Sequence, residues 1–128
     1  MYSSSYQTIA AALASALSRE GVFVGGTAGY PRVELHSFVE NAPTDKGSAV
    51  RVISCVVESM SNRSAEQAAT INAENLTVLA EFRYVDAGQT SRVFGVVPTQ
   101  LQELTETSDP QMFLYRVLQT IDIYVQQL

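Results

Sequence analysis

One cysteine, one histidine and no tryptophan occur in the 128 residues. The lone Cys55 rules out an intrachain disulfide, so the chain is not a disulfide scaffold and suits a reducing compartment. The lone His36, with one cysteine and no clustered carboxylates, argues against zinc, which usually takes about three or four ligands. Basic residues are also scarce: eight Lys and Arg stand against 13 Asp and Glu, for a net charge of −5. They are scattered at Arg19, Arg32, Lys46, Arg51, Arg63, Arg83, Arg92 and Arg116. No basic stripe is available to neutralise phosphates, so nucleic acid is not the expected partner. No run reaches the ~18 consecutive apolar residues of a membrane helix. The Ala-rich stretch Ile9–Leu17 has no basic leader before it, so no signal peptide is expected.

Charged residues make up only 16% of the chain, below the roughly 25% of typical soluble domains. Two readings stand side by side. Part of the surface is covered by a partner, or a thick core carries a Ser/Thr/Gln-rich surface. The length fits one domain over residues 1–128, able to build a core without metals or disulfides.

Periodicity gives the elements. Tyr6, Ile9, Leu13 and Leu17 recur at three- and four-residue spacing after Ser3-Ser4-Ser5, whose hydroxyls are candidate caps. That predicts a helix over about residues 4–19, closed by Gly21. Val22-Phe23-Val24 is a short apolar stretch before the glycine-rich loop at residues 25–29. Val33, Leu35 and Ser37 alternate with Arg32, Glu34 and His36, which reads as a strand. Residues 40–48 are loop formers, and Val50–Met60 is a β-branched strand with apolar residues on both faces, hence central. Ser64 followed by Gln67 opens a helix over residues 65–80. Its stripe runs through Ala65, Ala68, Ala69, Leu76 and Leu79, widened by Ile71, Val78 and Phe82, and Asn72 and Asn75 are expected to be exposed.

Arg92–Val97 reads as a short strand or an extended linker, and Pro98 is out of place in a smooth central strand. Residues 100–107 read as a strand or a single helical turn, with the strand favoured. Phe113–Val125 alternates with period two over its whole length. Phe113, Tyr115, Val117, Ile121, Ile123 and Val125 share a face with Gln119, opposite Arg116, Thr120, Asp122 and Gln126. The expected fold is therefore α+β in the order α-β-β-α-β-β, an antiparallel four-stranded sheet with two helices packed on one face.

No catalytic constellation is legible. His36 reads as a surface or edge histidine, and Cys55, mid-strand among Ile53, Val56 and Val57, as a small core residue. The glycine-rich loop lacks the Gly-Lys-Ser/Thr ending of a phosphate loop, and no helix follows it. Glu34, Glu58, Glu81 and Asp122 are spread over separate elements. A non-enzymatic role with no cofactor is the expectation.

The helix Tyr6–Leu17, the lead-in Tyr30-Pro31-Arg32-Val33, and the strand Val50–Glu58 running into Ser64-Ala65-Glu66-Gln67-Ala68 form a familiar layout. The acidic stretch Glu103–Asp109 and Tyr115-Arg116-Val117-Leu118 at the entry to the last strand complete it. In this the chain resembles, over nearly its whole length, the tail terminator or tail completion family of long-tailed phages and prophages, including the lambda-type tail terminator. The resemblance implies a virion assembly subunit at the tail–neck junction, built in the host cytoplasm. It would form a ring, usually a hexamer, that ends tube polymerisation. Its partners would be copies of itself, the tail tube protein and the head–tail connector, with no nucleic acid and no membrane. The loop at residues 40–48, with Glu40, Asn41, Asp45 and Lys46, is the first candidate contact. Arg51 and Arg63, facing acidic groups of a neighbour, are the second. Alternatively the loop is solvated and both arginines are surface residues. The competing functions are another neck or head-closure connector, and a small ferredoxin-like ligand-binding domain.

Overall fold

In a computed structural model, which describes residues 2–26, 28–41, 50–109 and 112–128, the order of elements is α1 (Tyr2–Leu17), β1 (Phe23–Val24), β2 (Arg32–Asn41), β3 (Val50–Ser61), α2 (Ala65–Ala80), β4 (Tyr84–Val85), β5 (Ser91–Asp109) and β6 (Met112–Gln127). The strands form one sheet in the order β1-β2-β3-β6-β5-β4, curled into a half-barrel. This corrects the expected four-stranded antiparallel sheet. Six strands are present and the sheet is mixed, because β1 runs parallel to β2. The two additional strands, β1 and β4, are two residues long, too short to show a period.

The central ladder pairs β3 with β6 without interruption, from Val50 opposite Gln126 to Ser61 opposite Tyr115. Its parity assigns the faces. Ile53, Cys55 and Val57 lie beside Ile123, Ile121 and Gln119 on one face. That face packs against Ile9, Leu13 and Leu17 of α1 and against Ile71 and Leu79 of α2 in a single buried cluster. Each such aliphatic side chain contributes roughly 1.5–3 kcal/mol by leaving water. The opposite face carries no helix.

α1 begins earlier than the serines suggest, so Ser3, Ser4 and Ser5 lie within it. At its other end Arg19 Nη1 donates to Leu17 O at 2.9 Å and to Asn75 Oδ1 at 3.0 Å, tying the end of α1 to α2. α2 is capped as expected: Gln67 N donates to Ser64 Oγ at 3.0 Å. The return arm of the cap runs through a third residue. Ser61 Oγ accepts from Ser64 N at 3.3 Å and donates to the Gln67 side chain.

Asn72 and Asn75 are buried, against expectation. They face the sheet because the sheet offers polar partners there: Asn75 Nδ2 donates to Ser59 Oγ at 3.1 Å, and Asn72 Nδ2 to Gln119 Oε1 at 3.4 Å. Residues 91–109 form one strand, β5, so the Arg92–Val97 and 100–107 segments are continuous. Pro98 is accommodated because β4 pairs only with Val93 and Arg92, leaving no neighbour at Pro98 to need its missing N–H.

Asn75→Ala removes a fully buried bridge between Ser59 and Arg19. The expected loss is about 2 kcal/mol of unfolding free energy, read as a lower urea midpoint with an unchanged slope.

Candidate functional site

The helix-free face is crossed by two polar ladders. In the first, His36 on β2, Glu58 on β3, Arg116 on β6 and Glu106 on β5 link four adjacent strands. His36 Nε2 lies 2.7 Å from Glu58 Oε1, Arg116 Nε donates to Glu58 Oε2, and Arg116 Nη1 donates to Glu106. Glu58 is only 1% exposed. Burial pushes its carboxyl up, but hydrogen bonds and positive charge from Arg116 and His36 outweigh that and hold it below the ordinary glutamate value. The same contact raises the Arg116 guanidinium, chiefly through its hydrogen bond to Glu58. In the second ladder Asn41 Nδ2 donates to Ser54 Oγ at 3.3 Å, and Ser54 Oγ donates to Asp122 Oδ1 at 2.6 Å. The ladders cement the strands from the side that the helices do not cover.

The sheet ends in two rims. The β5 rim is open from Phe94 onward among the described residues, because β4 covers only Arg92 and Val93. Its register with β6 shifts between Val93 and Gly95 and between Pro98 and Leu101, then runs regularly from Leu101 to Thr107. Every residue from Leu101 to Thr107 is exposed. The other rim is β2, which β1 covers only at Arg32 and Val33. Exposed large hydrophobic side chains concentrate at these rims. Val39, 57% exposed, and Phe23 lie on the β1/β2 side; Phe94, Val97, Leu104 and Leu101, the last 56% exposed, lie on β5. Among the described residues of α1, α2 and β3 there is none. An unpaired strand edge is a pairing hazard in a free monomer, and apolar side chains exposed along it mark it as a candidate contact surface.

A cleft of about 230 Å³ opens between the first turn of α2 and the β5–β6 hairpin, lined by Ala65, Ala68, Glu103, Tyr115 and Arg116 among others. Its ionisable groups are those of the hairpin itself. Among the described residues no three His, Cys, Asp or Glu side chains converge as metal ligands. No described helix is long and apolar enough to cross a membrane.

The residues singled out in the sequence fall as follows. Glu40 and Asn41 end β2 on its rim, both exposed. Arg51 is 5% exposed and donates to Glu40 within the same chain. Arg63 is exposed in the turn before α2. No carboxylate lies in ion-pair range of it among the described residues. Asp45 and Lys46 lie outside the described residues. The structure brings Glu40 and Arg51 together and leaves Arg63 apart. His36 is an edge-strand residue engaged with Glu58. Cys55 is buried, and burial, reinforced by the negative charge of Asp122, pushes its thiol up to about 12. Sequence reading missed the Glu58–Arg116 pair. Its only trace was a Glu and an Arg set in largely apolar strands.

Neither family profiles nor curated proteins give a match to the sequence. Among solved structures, the chain is similar to one from "Virion of native gene transfer agent (GTA) particle". The TM-score is 0.63 at 18% identity, covering 94% of this chain and 90% of that one. The two share a fold over nearly their full lengths.

Glu58→Gln is expected to cost about 3 kcal/mol near neutral pH, since it strips a buried partner from Arg116. Because folding lowers the Glu58 pKa, its contribution is present above the ordinary glutamate range, about 4, and fades as the pH falls below it. Wild-type and variant unfolding curves should therefore converge in acid. Cys55 should resist iodoacetamide in the folded protein at mildly alkaline pH and react fully once the chain is unfolded by urea, as followed by intact mass.

Proposed function

We propose that this chain is a virion assembly subunit that closes into a ring and caps the end of a tail tube, halting tube growth and offering its outer side to the head connector. The observation that carries the reading is the pair of open apolar rims on an otherwise well-sealed sheet. A stable monomer would blunt such edges, whereas an assembling subunit keeps them for its neighbours. The likeness in fold to a chain of a virion particle supports the same reading, as does the layout shared with tail terminators.

The action is adhesive. In this reading Glu40, Asn41, Asp45 and Lys46 border the contact with the tube or a neighbour. Arg63, with no ion-pair partner among the described residues, supplies a positive charge. Arg51 serves by fixing Glu40 at the end of β2. Copies of the chain, the tail tube protein and the head–tail connector are the partners, and the tail–neck region of the virion is the location.

Native mass spectrometry and negative-stain imaging of the chain, alone and with its tail tube protein, test the proposal. A single closed oligomer, or a monomer that becomes one on tube ends and stops their elongation, is the expected result. A chain that stays monomeric beside growing tubes would overturn it.

A further inference from the structure

On a regular strand neighbouring side chains point to opposite faces, yet His36 and Ser37 touch. Ser37 Oγ lies 2.7 Å from His36 Nδ1. The bulge in β2 makes the contact possible. The register breaks between His36 and Val39, and Ser37 takes φ 59°, a left-handed value uncommon outside glycine. A bulge re-aims a side chain, and backbone of this kind gathers where a side chain has a task. Ser37 is exposed and the His36 ring is half-buried.

The other ring nitrogen decides what the contact is. His36 Nε2 lies 2.7 Å from Glu58 Oε1. Despite its burial, Glu58 is held ionised near neutral pH by the hydrogen bonds it accepts from Arg116 and His36, and a carboxylate can only accept. The proton of a neutral ring therefore sits on Nε2, and Nδ1 is left bare. The Ser37 hydroxyl is then the donor to Nδ1. Hydroxyl, imidazole and buried carboxylate stand in the order nucleophile, base and orienting group. Two further charges border the ring. Glu34 lies two residues back on the same face, opposite Glu58. Arg116 shares its charge between Glu58 and Glu106.

We propose that Ser37 is an activated nucleophile and a site of covalent acylation by activated esters, with His36 as its general base and Glu58 as the residue that positions His36. In the step, Ser37 Oγ forms a bond to the acyl carbon while its hydroxyl proton passes to His36 Nδ1. The bond from that carbon to the leaving aryloxide breaks with its electron pair. The aryloxide then takes the proton from the imidazolium, and the ring returns to its starting form, still donating from Nε2 to Glu58. The product is a serine ester on the β2 rim, two residues from the exposed Val39. The inference stands apart from the ring reading and needs no second copy of the chain.

The protein incubated with p-nitrophenyl acetate, quenched in acid and digested, should carry acetyl on Ser37 by tandem mass spectrometry. Lys46, the single lysine, serves as an internal comparison. His36→Gln can still donate to Glu58 but lacks the base. It should slow acetylation of Ser37 about a hundredfold and leave that of Lys46 unchanged. The wild-type rate at Ser37 should drop in acid, where Nδ1 holds a proton, and level off above neutral pH. The variant rate should instead climb throughout with hydroxide. Ser37→Gly, suited to the positive φ, should abolish the adduct without lowering the urea midpoint. Acetyl spread over many surface serines, or an equal Ser37 rate in H36Q, would overturn the proposal. Should H36Q fail to fold, the wild-type pH profile decides alone, because an unassisted hydroxyl shows no plateau.

Discussion

The unbroken ladder between β3 and β6 is the constraint on which the molecule depends. Because side chains alternate across a strand, one register decides both faces at once. A slip of one residue would turn Ile121, Ile123 and Val125 away from the helices and drive Arg116 and Asp122 into the core. The uniform apolar parity of β6 makes that slip prohibitive. Glu58 and Arg116 reinforce the choice from the other side, since the pair forms only in the native register.

With the centre fixed, the periphery is free to differ. β1 and β4 protect the sheet at one corner of each rim and go no further. The bulge between His36 and Val39, with Ser37 at φ 59°, interrupts the β2 edge. Pro98 and the register shifts interrupt the upper part of β5. The segment Leu101–Thr107 has no such interruption. Low charge content, open in the sequence between a covered surface and a thick core, thus has a spatial counterpart: a sealed helical side and apolar rims.

The two helices and the strands β2, β3 and β6 were legible because each repeats its pattern for several turns or pairs, whereas β5 read only as two ambiguous pieces, its period broken by Pro98 and the register shifts on either side of it. β6 is the clearest case: period two survives even through Gln119, which is buried because its amide donates to Gln100 O and Thr120 O. The two-residue strands were not legible, since two residues carry no period, and with them went the mixed character of the sheet. Asn72 and Asn75 misled because an asparagine reads as exposed unless its partner is known, and Ser59 and Gln119 are distant in sequence. The Glu58 ladder was hidden for the same reason. Its members, His36, Glu58, Arg116 and Glu106, converge only through strand order. Of the candidate contact residues, Arg63 falls in the expected turn before α2, but Glu40 and Asn41, read as the start of a loop, are the last residues of β2, and the burial of Arg51 depends on which way its strand faces.

The β5–β6 hairpin has a mechanical consequence. It reaches past the body of the sheet, and β6 is its root, clamped along β3 from Ser61 back to Val50. Tension drawn along the hairpin therefore loads those rungs side by side, in shear, where they share the force. Pulling across the sheet would instead peel them one after another. A subunit gripped at its hairpin is thus built to resist stretching along the strand axis, the direction in which its own backbone is stiffest.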